Sequence, residues 1–338
     1  DMGNEARQGN YSLLSQRMQQ RLEETLNKGE QAMILLNKRG YASFIKCESC
    51  GEPIRCPHCD VTLTYHKAEN RLKCHLCEYF TSVPQVCPEC GSTHLKKIGY
   101  GTQKIEEELE KKYPDARIIR FDFDTTRNKN THLKLLKDFE EHKADIMLGT
   151  QMIAKGLDFS NVTFVGVLMA DLSLMVPDFR ASERTFQLLC QVAGRSGRGE
   201  KQGTVMIQTF NPEHYAIKAA VKQDYDAFFK EEIAFRKKAK YPPYCHLVSV
   251  IVQSRTSKNV HSIALDISQY LRDHLEKVRI IGPQSTFKMQ DIYRERILIK
   301  YIESKPIYEQ LSIIDDYYNR TRKGGVIVAC DFNPYSTY

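Results

Sequence analysis

The sequence predicts an α/β domain built on a mostly parallel β-sheet, interrupted by a cysteine-rich metal-binding insert and followed by a small α+β domain. Three observations predict this fold class. Short apolar runs alternate with helical segments over residues 1–45 and 99–222, as in sheets covered by helices on both faces. Residues 46–98 contain four Cys-x-x-Cys pairs. Residues 223–338 adopt another order of strands and helices after a break at Pro242-Pro243.

Composition is that of a globular protein with a mildly basic surface. The 338 residues suffice for about two domains and a small third, and hydrophobic residues make up 41%. The formal net charge of +7 suits a polyanionic partner without identifying one. No apolar run approaches the roughly 20 residues that cross a bilayer, and no signal peptide is visible. We therefore expect a cytoplasmic protein with no membrane partner, and the initial Asp1 suggests a fragment of a longer chain.

The α/β domain is predicted from apolar spacing. Residues 1–12 are polar and expected to be extended, whereas leucine or methionine at every fourth position from Leu14 to Leu26 predicts a helix that stops at Gly29. Further helices are expected to begin at Thr102 and Thr131, and another, capped by Ser182, contains the apolar run Phe186–Cys190. Buried strands are predicted at Ala32–Leu36, Arg117–Phe121, Asp145–Leu148, Val162–Leu168 and Gly203–Gln208.

The C-terminal elements predict a second, smaller fold. Residues 212–240 are predicted to be helical, and their packing stripe consists of Tyr225, Phe228, Phe229 and Ile233. Beyond the proline pair, strands are predicted at Leu247–Val252, Arg279–Ile281, Arg296–Tyr301 and Val326–Cys330, with helices at Val260–Leu275 and Ile307–Tyr318. This βαββαβ order is typical of a ferredoxin-like α+β domain.

The cysteine pairs predict two tetrahedral metal sites. They are Cys47/Cys50, Cys56/Cys59, Cys74/Cys77 and Cys87/Cys90. One Cys-x-x-Cys pair places two thiolates on a metal, so two pairs complete a site with four cysteine ligands. Because no secretion signal is visible, metal is favoured over disulfides, although four cysteines also permit an iron–sulfur cluster. Proline and glycine in or beside the pairs favour the tight turns of zinc sites.

Spacing indicates how the pairs combine. Cys56/Cys59 and Cys74/Cys77 are separated by 14 residues, close to the zinc-ribbon spacing, and Val61–Tyr65 with Arg71–Lys73 can form a hairpin between them. The outer pairs, Cys47/Cys50 and Cys87/Cys90, then share the other zinc and bring the two ends of the insert together. Both zincs are expected to be structural because eight cysteines leave no open coordination position. The four histidines of the insert, His58, His66, His75 and His94, are expected to be surface or outer-shell residues.

Two stretches of the α/β domain have the chemistry of a phosphate site. Gln191–Arg198 places two arginines three positions apart on a glycine-containing turn, and arginine forks onto phosphate oxygens. Such a pair suits the charge that develops on a transferred γ-phosphoryl group, although a polar turn with solvated arginines is the alternative. Gly149–Asp158 follows a buried strand directly and offers an amide, a hydroxyl and a carboxylate.

In combination, these stretches resemble motifs V and VI of superfamily 2 helicases, in the second RecA-like lobe, and Leu35–Tyr41 resembles motif IV. With the cysteine octet inserted after motif IV, the chain resembles the primosomal protein N′ family of replication-restart helicases essentially end to end. The further stretches that carry this resemblance are Tyr100–Leu109, Asp124–Thr126, Gly149–Phe159, Pro177–Arg180, Tyr241–Tyr244 and Asp331–Pro334.

The resemblance implies an ATP-driven 3′→5′ DNA helicase that recognises stalled or abandoned replication forks and starts primosome assembly. It assigns catalysis to Arg195 and Arg198, nucleotide binding to Gln191, Gly156 and Asp158, and DNA contacts to Thr150, Lys155 and Arg39. Two structural zincs are implied, together with ATP and Mg in the full-length protein. The implied partners are branched forks and single strands of DNA, the single-stranded DNA-binding protein, and primosome and helicase-loader proteins in the bacterial nucleoid.

The chain departs from the family pattern in its nucleotide motifs. No Gly-Lys dipeptide of a Walker A loop and no Asp-Glu-x-His box occur in the sequence. We therefore expect no ATP hydrolysis by this chain alone, although the full-length protein is expected to be an ATP-dependent helicase. The competing interpretation is a non-catalytic, zinc-stapled module that binds DNA or protein. A zinc-ribbon transcription or translation factor leaves the α/β repeat unexplained.

Overall fold

The computed structural model describes residues 1–36, 44–47, 49, 52–58, 62–66, 70–74, 79–98, 102–121, 129–150, 159–176, 178–194, 203–286, 288–321 and 325–336. They form two compact units, Asp1–Ala42 with Gly99–Glu232, and Ser43–Ile98 with Ile233–Tyr338. The cysteine-rich insert and the C-terminal residues therefore belong to one unit.

The described helices are α1 Met2–Arg7, α2 Gln16–Asn27, α3 Thr102–Lys112, α4 Lys129–Glu140, α5 Ala181–Ala193, α6 Tyr215–Lys222, α7 Tyr225–Ala239, α8 Ser257–His274 and α9 Ser304–Asp315. The described strands are β1 Gln31–Leu36, β2 Phe44–Cys47, β3 Thr64–His66, β4 Arg71–Lys73, β5 Phe80–Ser82, β6 Leu95–Ile98, β7 Ile118–Phe121, β8 Ile146–Gly149, β9 Val162–Leu168, β10 Thr204–Ile207, β11 His246–Ser254, β12 Arg279–Ser285, β13 Tyr293–Tyr301 and β14 Ile327–Phe332.

The first unit contains a five-stranded parallel sheet in the order β10-β9-β1-β8-β7, which confirms the predicted RecA-like α/β lobe. Strand β1 is buried throughout because both of its faces are covered. Met33 and Leu35 pack in a core with α5 and α6, while Ile34 and Leu36 pack in a second core with α2 and α3. A continuous apolar run is what such a doubly covered strand requires.

Three predictions for helix starts in the first unit are wrong. One of them is α4, which begins at Lys129 and not at Thr131. Residues 1–12 contain α1 because the Asp1 carboxylate accepts hydrogen bonds from the Gly3 and Asn4 amides, a local cap that apolar spacing does not reveal. The N-cap of α5 is Arg180 and not Ser182, because the carbonyl of Asp178 accepts from the Ala181 amide and starts the helix two residues earlier.

The predicted helix over 212–240 is two helices. Gln223 has a φ of 52°, which ends α6, and the Asp224 carboxylate then accepts from the Ala227 amide to start α7. All of the expected stripe lies in α7, and only part of it is buried. Phe228 is buried and stacks on Phe186 with ring centroids 4.2 Å apart, whereas Tyr225 and Phe229 are exposed.

The second unit contains an antiparallel sheet in the order β12-β13-β11-β14. This order and the alternation with α8 and α9 confirm the predicted ferredoxin-like domain. Its core lies between one face of the sheet and both helices, with alternate residues of the strands, such as Val248, Val250 and Val252, pointing to it. None of the described helices is long and apolar enough to cross a membrane.

Candidate functional site

The carboxyl ends of three neighbouring strands lie in register in the parallel sheet. Gly149 of β8 pairs with Leu35 of β1 on one side and with Phe121 of β7 on the other. The carboxyl ends of β1, β7 and β8 therefore lie at the same side of the sheet, which is where open α/β sheets bind ligands. We call this the strand-end edge.

The described part of the strand-end edge contributes Thr150. Its side chain is half-buried directly after the fully buried end of β8, so a hydroxyl lies at the end of a rigid strand. Gln191 lies in the last turn of α5, and its side chain is exposed. The other predicted nucleotide and DNA residues, Arg39, Lys155, Gly156, Asp158, Arg195 and Arg198, lie outside the described residues.

The segment between β9 and α5 is held by a buried carboxylate. Asp178 has a fully buried side chain; its Oδ1 accepts from the Arg180 amide at 2.8 Å and its Oδ2 lies 3.3 Å from Arg184 Nη1. The hydroxyls of Ser173 and Thr185 lie 2.6 Å apart in the same segment. These contacts fix the start of the helix that leads to Gln191–Arg198. Motif reading missed Arg184 because a lone helical arginine has no distinctive spacing.

The first and last strands of the insert pair with each other. Strands β2 and β6 pair antiparallel, with Cys47 opposite Leu95. The predicted hairpin is present as β3 and β4, and β5 adds a third strand that the sequence did not indicate. Its small core contains Ile45, Leu63, Leu72 and two cysteines, so little apolar surface is available to stabilise it without a metal.

Three cysteines of the outer pairs converge. The Sγ atoms of Cys47, Cys87 and Cys90 all lie within 4.8 Å of one another, and those of Cys47 and Cys90 are 3.6 Å apart. Zn–S bonds of about 2.3 Å in a tetrahedron separate two sulfurs by about 3.8 Å, so the donor set fits such a metal. A disulfide between Cys47 and Cys90 does not fit, because it requires about 2.05 Å. Cys50 lies outside the described residues.

The middle pairs are represented by Cys56 and Cys74. Both are buried, and both belong to the hydrophobic cluster of the insert. Their partners Cys59 and Cys77 lie outside the described residues. A second metal site that includes Cys56 and Cys74 therefore stays a prediction.

Three of the four Cys-x-x-Cys turns, which we call knuckles, contain the same backbone hydrogen bond. The amides of Cys47, Cys74 and Cys87 donate to the carbonyls of Glu52, Tyr79 and Ser92, in each case five residues further along the chain, at 2.7–2.9 Å. This bond turns the chain back on itself after the first cysteine of each pair, and in the one pair of which both members are described, Cys87 and Cys90, the two Sγ atoms lie within 4.8 Å of each other. The Ser49 and Ser92 hydroxyls, 2.7 Å apart, join the two outer knuckles at the surface.

The remaining cysteines have the properties of packed thiols. Burial raises the pKa of Cys330 to about 11 and also raises the pKa of Cys190 and of Cys245. A thiol with a raised pKa is a poor nucleophile and a poor metal ligand at neutral pH. All three are partly buried: Cys190 and Cys330 pack against the two cores, whereas Cys245 Sγ donates to the carbonyl of Lys240 at 3.1 Å.

Three family models match the chain. They are the PriA DNA helicase Cys-rich region (CRR) domain at residues 56–80, the Primosomal protein N C-terminal domain at 237–335, and the Helicase conserved C-terminal domain at 94–200. They match part of the insert, nearly all of the ferredoxin-like domain, and the part of the parallel sheet that contains β7, β8 and β9.

Full-length relatives agree with these models. "Replication restart protein PriA" of Bacillus subtilis (strain 168) is 48% identical over 339 residues, which is 99% of this chain and 42% of that protein. Its namesake in Synechocystis sp. is 42% identical over 308 residues, 89% of this chain and 37% of that protein. The chain thus spans less than half the length of these curated relatives.

Among solved structures, S. cerevisiae Dbp5 bound to RNA and ADP BeF3 aligns with a TM-score of 0.31 and 12% identity. The alignment covers 65% of this chain and 42% of that one, and a likeness this distant carries no argument. The family rests instead on the relatives and on the three matched regions. The chain belongs to the replication restart protein PriA family, whose C-terminal portion it matches.

Proposed function

We propose that this chain is part of an ATP-dependent 3′→5′ superfamily 2 DNA helicase that recognises stalled or abandoned replication forks and initiates primosome assembly. One observation supports the motor assignment above the others. The ends of β1, β7 and β8 lie in register, so the segments that carry the helicase-like motifs IV and V begin at one sheet edge. That is the arrangement in which loops of an open α/β sheet act on one ligand.

In this proposal Arg195 and Arg198 are the catalytic residues. Their guanidinium forks stabilise the negative charge that develops on the γ-phosphoryl oxygens of ATP during hydrolysis. Gln191, Gly156 and Asp158 line the same site, where Gly156 lets the backbone come close and Asp158 supplies a carboxylate. ATP with Mg supplies the phosphoanhydride whose cleavage drives movement. The Walker motifs are absent from this sequence, so the chain alone does not hydrolyse ATP.

The proposed DNA contacts are Thr150, Lys155 and Arg39. A hydroxyl at the end of β8 and two cations in the neighbouring segments suit the phosphates of a single strand, since phosphate contacts position a nucleic acid without reading its sequence. The net charge of +7 has the sign that this partner requires.

We further propose two structural zincs. One is held by Cys47, Cys50, Cys87 and Cys90, and the other by Cys56, Cys59, Cys74 and Cys77. The convergence of three outer thiols at tetrahedral spacing supports the first site. The small core of the insert explains why metal is needed there, because a short segment with little apolar surface gains its folding free energy from the metal.

The proposed partners are branched and single-stranded DNA, the single-stranded DNA-binding protein, and primosome and helicase-loader proteins. The family resemblance implies these partners, and the net charge of +7 suits DNA. With such partners we expect the protein at the nucleoid in the bacterial cytoplasm. A non-catalytic module that binds DNA or protein is the second candidate function. The union of the insert and the C-terminal domain in one compact unit is the observation that favours it.

Strand-specific unwinding tests this proposal. A protein of the relatives' length that contains this chain is mixed with ATP, Mg and duplexes that carry either a 3′ or a 5′ single-stranded tail on the loading strand. We expect the 3′-tailed duplex to be separated and the 5′-tailed duplex to remain. Unwinding from 5′ tails would overturn the assigned direction. Tight DNA binding with no ATP-dependent strand separation would favour the binding module.

A further inference from the structure

A tight turn of the C-terminal domain forms hydrogen bonds with the second Cys-x-x-Cys pair of the insert. The turn is Lys288–Asp291, between β12 and β13, and the knuckle is the Cys56–Cys59 stretch. Lys288 Nζ donates to the carbonyl of Pro57 at 2.8 Å, and the Asp291 amide donates to the carbonyl of His58 at 2.9 Å. Asp291 Oδ2 also lies 2.6 Å from His58 Nδ1.

The backbone of this turn is unusual for its sequence. The amide and carbonyl of Met289 both pair with those of Ile292 at 3.1 Å, so Gln290 and Asp291 form a two-residue hairpin loop. Both have positive φ angles, 54° and 59°. Such loops normally contain glycine or asparagine, and a residue with a Cβ costs roughly 1 kcal/mol there. Contacts outside the turn must compensate this cost.

Apolar contacts accompany the polar ones. Met289 packs against the insert's hydrophobic cluster. The His58 ring meets Tyr79 edge to face, with centroids 5.3 Å apart, so the residue that the turn contacts is held from the insert side as well. Lys288 has a largely buried side chain and lies 5.5 Å from the Tyr293 ring centroid, which aims its ammonium group at the knuckle. The turn thus fits a preformed surface.

Metal determines whether that surface exists. The two carbonyls that accept from the turn belong to Pro57 and His58, the residues between Cys56 and Cys59. When both thiolates of a Cys-x-x-Cys pair bind one metal, the two intervening peptide groups have a single arrangement. Without the metal, a segment of this size loses its fixed backbone, and the two carbonyls no longer point the same way.

We propose that Lys288–Asp291 is a latch between two domains and that zinc at Cys56, Cys59, Cys74 and Cys77 keeps it closed. Zinc at this site holds the insert and the C-terminal domain together as one body, while the outer zinc only closes the insert's own ends. The inference rests on the second zinc site proposed above. In this proposal the second zinc stabilises a contact between two domains in addition to the fold of the insert.

Hydrogen exchange measured by mass spectrometry tests the latch from the metal side. In the full chain, Cys56→Ser/Cys74→Ser removes the second zinc. We expect amide exchange over residues 286–292 to rise by at least about tenfold, because the Asp291 amide loses its acceptor and the turn loses the contacts that hold it. Exchange over α8 is expected to stay unchanged, which shows that the C-terminal domain is folded. The matched control, Cys47→Ser/Cys87→Ser, is expected to leave 286–292 protected.

A second variant tests the latch without touching a metal ligand. Lys288→Met/Asp291→Gly removes both polar side chains, while glycine relieves the positive φ and preserves the hairpin. We expect two zincs to remain bound, with one of them released to EDTA about tenfold faster than in the parent chain. Lys258→Met/Asp273→Asn neutralises the same charges elsewhere on the domain and is expected to release both zincs at the parent rate.

The outcomes separate the two claims. Unchanged exchange over 286–292 in Cys56→Ser/Cys74→Ser, or unchanged zinc release in Lys288→Met/Asp291→Gly, would overturn the latch while two zincs remain assigned. A parent chain that is purified with intact cysteines and binds no zinc would overturn the metal assignment, and the latch with it.

Discussion

The Sγ atoms of Cys47 and Cys90 lie 3.6 Å apart although 43 residues separate them in the chain. Cys47 ends β2, and Leu95 of β6 pairs with it, so the ladder that closes the insert also brings the first and fourth cysteine pairs together. The nested arrangement expected from spacing is thus compatible with the way the chain enters and leaves the insert.

The number of zincs bound per chain is expected to fall when a single ligand cysteine is replaced. We expect the purified chain to contain two zincs and Cys47→Ser to contain one, because three thiolates hold zinc far less tightly than four and the second site is separate. Elemental analysis by mass spectrometry measures both. Cys330→Ser, which removes a partly buried thiol outside the insert, is expected to keep two zincs. Two zincs in Cys47→Ser would show that Cys47 is not a ligand.

Gly166 in β9 leaves room for its neighbours in the doubly covered sheet. A Cβ on Gly166 would lie 2.9 Å from Ile34 Cδ1 and 3.2 Å from Met18 Cε, and both of these side chains are fully buried. We expect Gly166→Ala to lower the free energy of unfolding by about 1 kcal/mol, since a packed core has no space for the methyl group. Urea unfolding followed by circular dichroism measures the change.

The double variant identifies the cause. Ile34→Val removes Cδ1 and costs about 1 kcal/mol by itself. In that background we expect Gly166→Ala to be close to neutral. If it costs as much as in the parent chain, Ile34 is not the group that excludes the methyl.

Asp145 connects the amino ends of β7 and β8, on the side of the sheet opposite to the strand-end edge. Arg117 donates to its carboxylate from Nε at 3.0 Å, from Nη2 at 2.7 Å and from its amide at 2.8 Å. The side-chain hydrogen bonds from Arg117 lower the pKa of Asp145. Because the folded-state pKa lies below the unfolded value of about 4, this stabilisation is present above pH 4 and is lost as pH falls through the folded value.

We therefore expect Asp145→Asn to lower stability by about 1 kcal/mol at pH 7, since the partly exposed pair is screened by water. The difference from the parent chain is expected to shrink as pH falls below 4, and urea midpoints from pH 7 to pH 3 measure it. A constant difference over that range would show that the charge of Asp145 does not act through this pair.

The two sheets were predictable because their signals are local. Runs such as Val162–Leu168 are long and apolar, and the order of segments after Pro242-Pro243 admits few topologies. The break at Gln223 was not predictable, since nothing in its immediate sequence forces a positive φ. The contact between His58 and Asp291 joins residues 233 positions apart, and no periodicity encodes such a pair.

The cysteine site was predictable in type because ligand spacing reflects coordination geometry. The contacts that support the site were not predictable, because the hydrogen bonds from the amides of Cys47, Cys74 and Cys87 to carbonyls five residues further along depend on the folded turn. Similarly, the residue types of Gln191–Arg198 indicate phosphate chemistry. Asp178 lies in the stretch Pro177–Arg180 that carries the family resemblance, but nothing in that stretch predicts that its carboxylate is buried against Arg184 and holds the start of α5.

The central claim is that Arg195 and Arg198 belong to an ATP site completed by a further part of the protein. ATP hydrolysis, measured with single-stranded DNA in a protein of the relatives' length that contains this chain, tests it most directly. We expect Arg198→Ala to lower the turnover number by about 10³ or more, because an arginine at the γ-phosphoryl group contributes that much. Arg117→Ala, at the opposite sheet edge, is expected to retain the parent rate. Unchanged hydrolysis in both Arg195→Ala and Arg198→Ala would contradict the account.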